Sequence, residues 1–83
     1  MQRDLRLNPT HFIHILLAHG LVSCGSNGTL QGICWPNEPV RRAVVRLNQP
    51  LKPDDWHKHL DNLEIPISTF EEWHDAYRPP VGS

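Results

Sequence analysis

Leu21-Val22-Ser23-Cys24-Gly25-Ser26-Asn27-Gly28-Thr29-Leu30-Gln31-Gly32-Ile33-Cys34-Trp35 is the stretch on which the fold turns. Two runs with strand character flank Gly25-Ser26-Asn27-Gly28, and Asn-Gly is a strong hairpin signal because both residues tolerate positive φ. With Asn27-Gly28 at the centre of the turn, Val22 faces Ile33 and Cys24 faces Gln31. That register places Cys24 and Cys34 on opposite faces, where their thiols cannot meet.

Upstream, Asn8-Pro9 predicts a helix start, with Asn as cap and Pro at the first helical position. Phe12, Leu16 and His19, with Ile13 and Ile15 beside them, form a stripe at helical spacing, and Gly20 stops it. Downstream, Pro36-Asn37-Glu38-Pro39 breaks the chain. Val40, Ala43, Val44 and Leu47 then recur at helical spacing, so a short helix is preferred over residues 40–47, although Val44-Val45 also suits a strand. Gln49 to Pro53 is a second breaker. Asp54 and Asp55 open the next helix, where the dipole favours acids, and Trp56, Leu60 and Leu63 supply its apolar stripe. Ser68-Thr69-Phe70-Glu71 reads as a capping box for a last helix buried through Phe70, Trp73 and Tyr77. Arg78-Pro79-Pro80 ends it.

These elements predict an α+β fold: a first helix, a β-hairpin, then two or three short helices around one small core. The expected core is Phe12, Leu16, Val22, Ile33, Val44, Trp56, Leu60, Leu63, Phe70, Trp73 and Tyr77. The 83 residues make a single domain, with 1–7 and 79–83 expected to fray. No stretch reaches the roughly 20 apolar residues of a membrane span. Leu21-Val22-Ser23-Cys24 resembles a lipoprotein cleavage box. The preceding segment contains His11, His14 and His19, however, and its uninterrupted apolar run, 15–18, is too short for a signal peptide.

Charge is unevenly spread. Residues 1–50 carry five basic against two acidic side chains, a balance of +3, and residues 51–83 carry three against seven, a balance of −4. The halves cancel, which excludes a strongly basic nucleic-acid binder but leaves room for a local patch. Six histidines make the charge responsive near pH 6. Two cysteines do not make a disulfide framework, and reduced thiols are expected.

No catalytic motif emerges, and no enzyme activity or cofactor is expected. Cys24, Cys34, His57, His59, His11, His14, His19 and His74 are of zinc-ligand type, but they lack the tight paired spacing of structural zinc sites. A small zinc-binding module is therefore only a further alternative. A cysteine nucleophile would need a base and an oriented third group, which nothing here marks. The arginines are more informative. On a helix, Arg42 and Arg46 stack at i, i+4 with Arg41 beside them, a ridge suited to an acidic protein surface or DNA phosphates. Trp35, at an element boundary, either caps the core or anchors an interface next to that ridge. Trp35, Arg41, Arg42 and Arg46 are thus the predicted partner-binding residues. The leading expectation is a protein partner, and the alternative is a DNA-binding regulator of winged-helix, excisionase or repressor type.

Gly32-Ile33-Cys34-Trp35-Pro36-Asn37-Glu38-Pro39-Val40-Arg41-Arg42 and Pro66-Ile67-Ser68-Thr69-Phe70-Glu71-Glu72-Trp73-His74-Asp75-Ala76-Tyr77 resemble the small uncharacterised-domain accessory proteins of filamentous Pf-type Pseudomonas prophages. The resemblance implies a bacterial, cytoplasmic, phage-encoded accessory protein that helps maintain lysogeny, and the protein partner expected above is then one of the phage or its host. It carries no site residues with it.

Overall fold

The computed structural model describes residues 6–78. Helix α1 (Pro9–Ala18) starts as the sequence dictates: Asn8 Oδ1 accepts from the backbone N–H groups of Thr10 at 2.9 Å and His11 at 3.3 Å. Pro9 occupies the first helical position, where its missing N–H costs nothing. Gly20, at φ 102°, turns the chain out of the helix. Phe12, Ile13, Ile15 and Leu16 form its buried face, whereas His19 is exposed and stacks flat on Trp73, with ring centroids 4.0 Å apart.

Strands β1 (Val22–Asn27), β2 (Leu30–Trp35) and β3 (Glu38–Arg46) then form an antiparallel meander in the order β1-β2-β3. Two expectations change here. First, the turn centres on Gly28-Thr29, not Asn27-Gly28, because Asn27 pairs with Leu30. Gly28 takes φ 63° at the first central position, where a type II′ turn requires glycine. A register shift between Ser23 and Ser26 places Cys24 and Gly25 together opposite Gly32, so Val22 faces Cys34 instead of Ile33. Second, residues 38–46 are a strand and not a helix. Pro36-Asn37 is a two-residue hairpin turn, with Trp35 paired to Glu38 across it. The third strand gives β2 a partner on each side.

Period two follows along β3. Ala43 and Val45 are buried at 1% and 0% exposure, while Val44 is 50% exposed. Val22, at 40%, also lies outside the core. Both valines were expected inside. Ala43 and Val45 join Ile33 on the face that the helices cover; on the opposite, more open face Val22 and Val44 are exposed, although Cys34 of the central strand is buried there.

Helix α2 (Pro53–Leu63) buries Trp56, Leu60 and Leu63 as predicted. Its first turn is fastened by the Asp55 carboxylate, which accepts from the Lys52 N–H at 3.2 Å. Helix α3 (Ile67–Ala76) begins one residue before Ser68, and neither Ser68 nor Glu71 makes a cap hydrogen bond, so the capping box does not form. Pro66 precedes α3 instead and confines the chain to an extended entry. Only Phe70 of α3 is fully buried; Trp73 and, beyond the helix, Tyr77 pack partly against the core.

One apolar core joins the three helices and strands β2 and β3, while β1 contributes no side chain to it, and the α+β class is as predicted. Leu7 belongs to it at 3% exposure and pairs with Leu51 through reciprocal backbone hydrogen bonds of 2.9 and 2.8 Å. Residue 7 is therefore fixed and not frayed; residues 1–5 and 79–83 lie outside the described residues. Among those described, no helix is long and apolar enough to cross a membrane.

Candidate functional site

The four residues predicted to form one contact surface separate into two pairs. Trp35 and Arg41 face the helices. The Trp35 indole donates from Nε1 to the Leu63 carbonyl at 2.7 Å, satisfying one of the carbonyls left unpaired at the end of α2. Arg41 Nε bonds Glu38 Oε2 at 2.8 Å and Glu64 Oε2 at 2.9 Å. Its cation also sits near the negative end of the α2 dipole. Together the two side chains clasp the sheet to the last turn of α2. Trp35 is thus a structural cap and not an exposed anchor.

Loss of the indole donor should register as stability. Trp35→Phe is expected to lower the unfolding free energy by about 1–2 kcal/mol, since a half-buried carbonyl loses its partner. Arg41→Ala, which breaks only exposed ion pairs, should change it by less than about 1 kcal/mol. Urea denaturation of the two variants distinguishes this clasp from an interface anchor, whose truncation would leave folding stability untouched.

Arg42 and Arg46 lie on the open face of β3, with Val44 between them. Among the described residues neither meets a carboxylate. They line an open groove of about 670 Å³, whose other wall carries Lys52, Asp55, Lys58 and His59. Four cations face one carboxylate, for a balance of +3 before His59 is counted. Asp55, Lys58, His59 and Asn62 recur at i, i+3, i+4 and i+7, one face of α2 beside its buried stripe. That spacing was present in the sequence and is the half of the site that arginine counting missed.

His59 closes the groove floor. Its ring lies 6.0 Å from Phe12, and its Nδ1 is buried with no hydrogen-bond partner among the described residues. Burial lowers its pKa from the ordinary 6.5; Asp55 opposes that shift and Lys58 reinforces it. His11, whose ring meets His74 and Tyr77 edge-on, is also lowered, by burial first and then by the charges of His74 and His14. Both imidazoles favour the neutral form when folded, whereas the unfolded chain takes up its protons near 6.5. Stability is therefore retained above that pH and lost as pH falls through 6.5 toward the depressed native values. Thermal unfolding at pH 7.5 and 5.5 should show a lower midpoint in acid. His59→Gln should shrink the difference.

The remaining constellations are plainer. Cys24 and Cys34 are free thiols. Contrary to the expected register, they share the open face of the sheet, because the β1 irregularity leaves Val22 opposite Cys34. No three His, Cys, Asp or Glu side chains gather in a metal-holding arrangement among the described residues. Helices α2 and α3 are joined by only 64–66, with Glu64 left-handed at φ 59°, the connection length of a helix-turn-helix. The second helix, however, carries Glu71, Glu72 and Asp75, carboxylates where a reading helix needs cations. The hairpin also precedes this pair, unlike the wing that follows it in a winged helix. No protein-family model matches this sequence, and no curated protein or solved structure matches it significantly.

Proposed function

We propose that this chain is a non-enzymatic binding protein that docks on an acidic, partly apolar segment of another protein. In keeping with the resemblance to Pf-type accessory proteins, that partner is a phage or host protein and the context is lysogeny maintenance. The observation that carries the docking surface is the make-up of the open face of β3. Val44, 50% exposed, lies between Arg42 and Arg46 above a groove that is cationic on both walls, and Val40, 87% exposed, lies in the irregular stretch of β3 just before them. Exposed valines have no use against a phosphate backbone. Against a peptide in which carboxylates alternate with apolar side chains, both kinds of residue find a complement. Contact between valines and apolar side chains supplies affinity, and the arginines supply orientation and register.

Amide chemical-shift mapping tests this. A short peptide alternating glutamate and isoleucine should perturb Arg42, Val44, Arg46, Lys58 and His59 and leave Trp35 and Arg41 nearly unmoved. Duplex DNA at the same salt should perturb these positions weakly, with the steep salt dependence of phosphate contacts. Stronger and sequence-selective shifts with DNA would transfer the surface to a nucleic-acid partner. Shifts centred on Trp35 would reject it.

A further inference from the structure

Regular pairing from the turn would set Cys24 opposite Ile33, on the other face of the sheet from Cys34. Two features of β1 and β2 change that. The bulge at Cys24-Gly25 adds a residue to β1 and tightens its twist, and the residue it faces, Gly32, has no side chain. Cys24 Sγ lies over that bare backbone, 3.4 Å from where a Gly32 Cβ would stand. Gly32 and Cys34 are two apart on β2 and share a face, so the Cys24 sulfur, set over Gly32, lies on the Cys34 side of the sheet as its diagonal neighbour. The two thiols differ in exposure: Cys34 is 2% exposed and Cys24 is half-buried.

We infer that Cys24 and Cys34 form a dithiol site that reacts with low-molecular-weight disulfides and closes into a cross-strand disulfide, Cys24 attacking and Cys34 resolving. The Cys24 thiolate attacks one sulfur of the oxidant, forming a mixed disulfide and expelling a thiolate that takes up a proton. Cys34 then gives its proton to solvent and attacks Cys24 Sγ, breaking the mixed disulfide and releasing the second small thiol. Two protein thiols and one disulfide become one protein disulfide and two small thiols, with two electrons passed to the oxidant. The order follows from access, because Cys34 is 2% exposed and Cys24 is only half-buried. The state of Cys34 agrees with a thiol kept protonated until that moment. The hydrogen bond with Cys24 and then burial raise its pKa, while the Arg42 guanidinium opposes them.

Glutathione disulfide, added to the reduced full chain at neutral pH and followed by intact mass, tests the site. Wild type should end lighter by two hydrogens with no lasting glutathione adduct. Cys34→Ser should retain one glutathione, on Cys24. Cys24→Ser should stay unmodified while folded and react once unfolded in urea. Gly32→Val keeps both thiols but fills the space that Cys24 Sγ occupies, and should prolong the mixed disulfide; circular dichroism confirms its fold. Wild type that accumulates the same stable adduct as Cys34→Ser would overturn the proposal. So would a folded Cys24→Ser chain reacting at the wild-type rate, or wild type left unmodified while its unfolded form reacts.

Discussion

Phe70→Ala is expected to lower the unfolding free energy by about 3–5 kcal/mol, the cost of emptying a well-packed aromatic site. A chain of 83 residues has about 4–12 kcal/mol in all, so the loss leaves little folded protein on heating. The size of the effect follows from how α3 is held. Phe70 is its one fully buried side chain, with the ring centroid 5.2 Å from Phe12 and 5.4 Å from Trp56. It is the point where rings from all three helices meet. Trp73 and Tyr77 only half-cover the core edge and cannot collapse into the space. Truncation therefore leaves a cavity and also releases the helix that closes the core. Val44→Ala is the counter-test, because its side chain is half exposed. It should change stability by less than about 1 kcal/mol, within the range of strand preference. Urea denaturation of both variants, followed by far-UV circular dichroism, gives the comparison. A cost at Val44 as large as the one expected at Phe70 would mean that Val44 lies on the covered face and that the two faces of the sheet have been exchanged.

That exchange is what sequence periodicity alone could not resolve. Residues 40–47 satisfy a helical stripe through Val40, Ala43, Val44 and Leu47, and a strand stripe through Arg41, Ala43, Val45 and Leu47. The two share Ala43 and Leu47, and they differ at adjacent valines, so pattern alone does not choose. The choice is tertiary: Pro36-Asn37 folds the segment back on β2, and Ile33 and Val45 are buried together. The hairpin was legible, but its register was not. One bulge residue moved every later pairing by one position, which turned Val22 outward and brought the two thiols to a common face. Features set by local chemistry were readable, among them the Asn8 cap and the Trp56-Leu60-Leu63 stripe. The Ser68 box failed because Pro66 fixes the start of α3 before Ser68 can serve as its cap. The proposed binding surface was half legible for a geometric reason. Positions 42 and 46 share a face on a helix and on a strand alike, so that pairing survived the wrong assignment. Positions 41 and 42 are neighbours on a helix but opposed on a strand, so the expected four-residue cluster divided.

Arg42→Glu combined with Arg46→Glu should abolish binding to an acidic partner while the fold survives. The groove balance of +3 comes from Arg42, Arg46, Lys52 and Lys58 against Asp55, and each reversal removes two charges, so the double variant stands at −1. An attractive field becomes a repulsive one, and the two side chains that set register across Val44 are lost with it. Affinity for the alternating glutamate and isoleucine peptide should fall by at least about 100-fold at low salt, roughly a factor of ten for each reversal. The difference should narrow as added salt shortens the screening length below about 10 Å. Folding stability should stay within about 1 kcal/mol of wild type, because Arg42 and Arg46 are exposed and meet no carboxylate among the described residues. Arg41→Glu provides the discriminating arm. It places a third carboxylate beside Glu38 and Glu64 and unfastens the clasp, so it should cost stability but leave peptide affinity within about threefold of wild type. Fluorescence anisotropy for binding and urea denaturation for folding separate the two arms. If Arg41→Glu weakened the peptide as much as the double reversal did, recognition would belong to the Trp35 side of the sheet and the open face would lose its role.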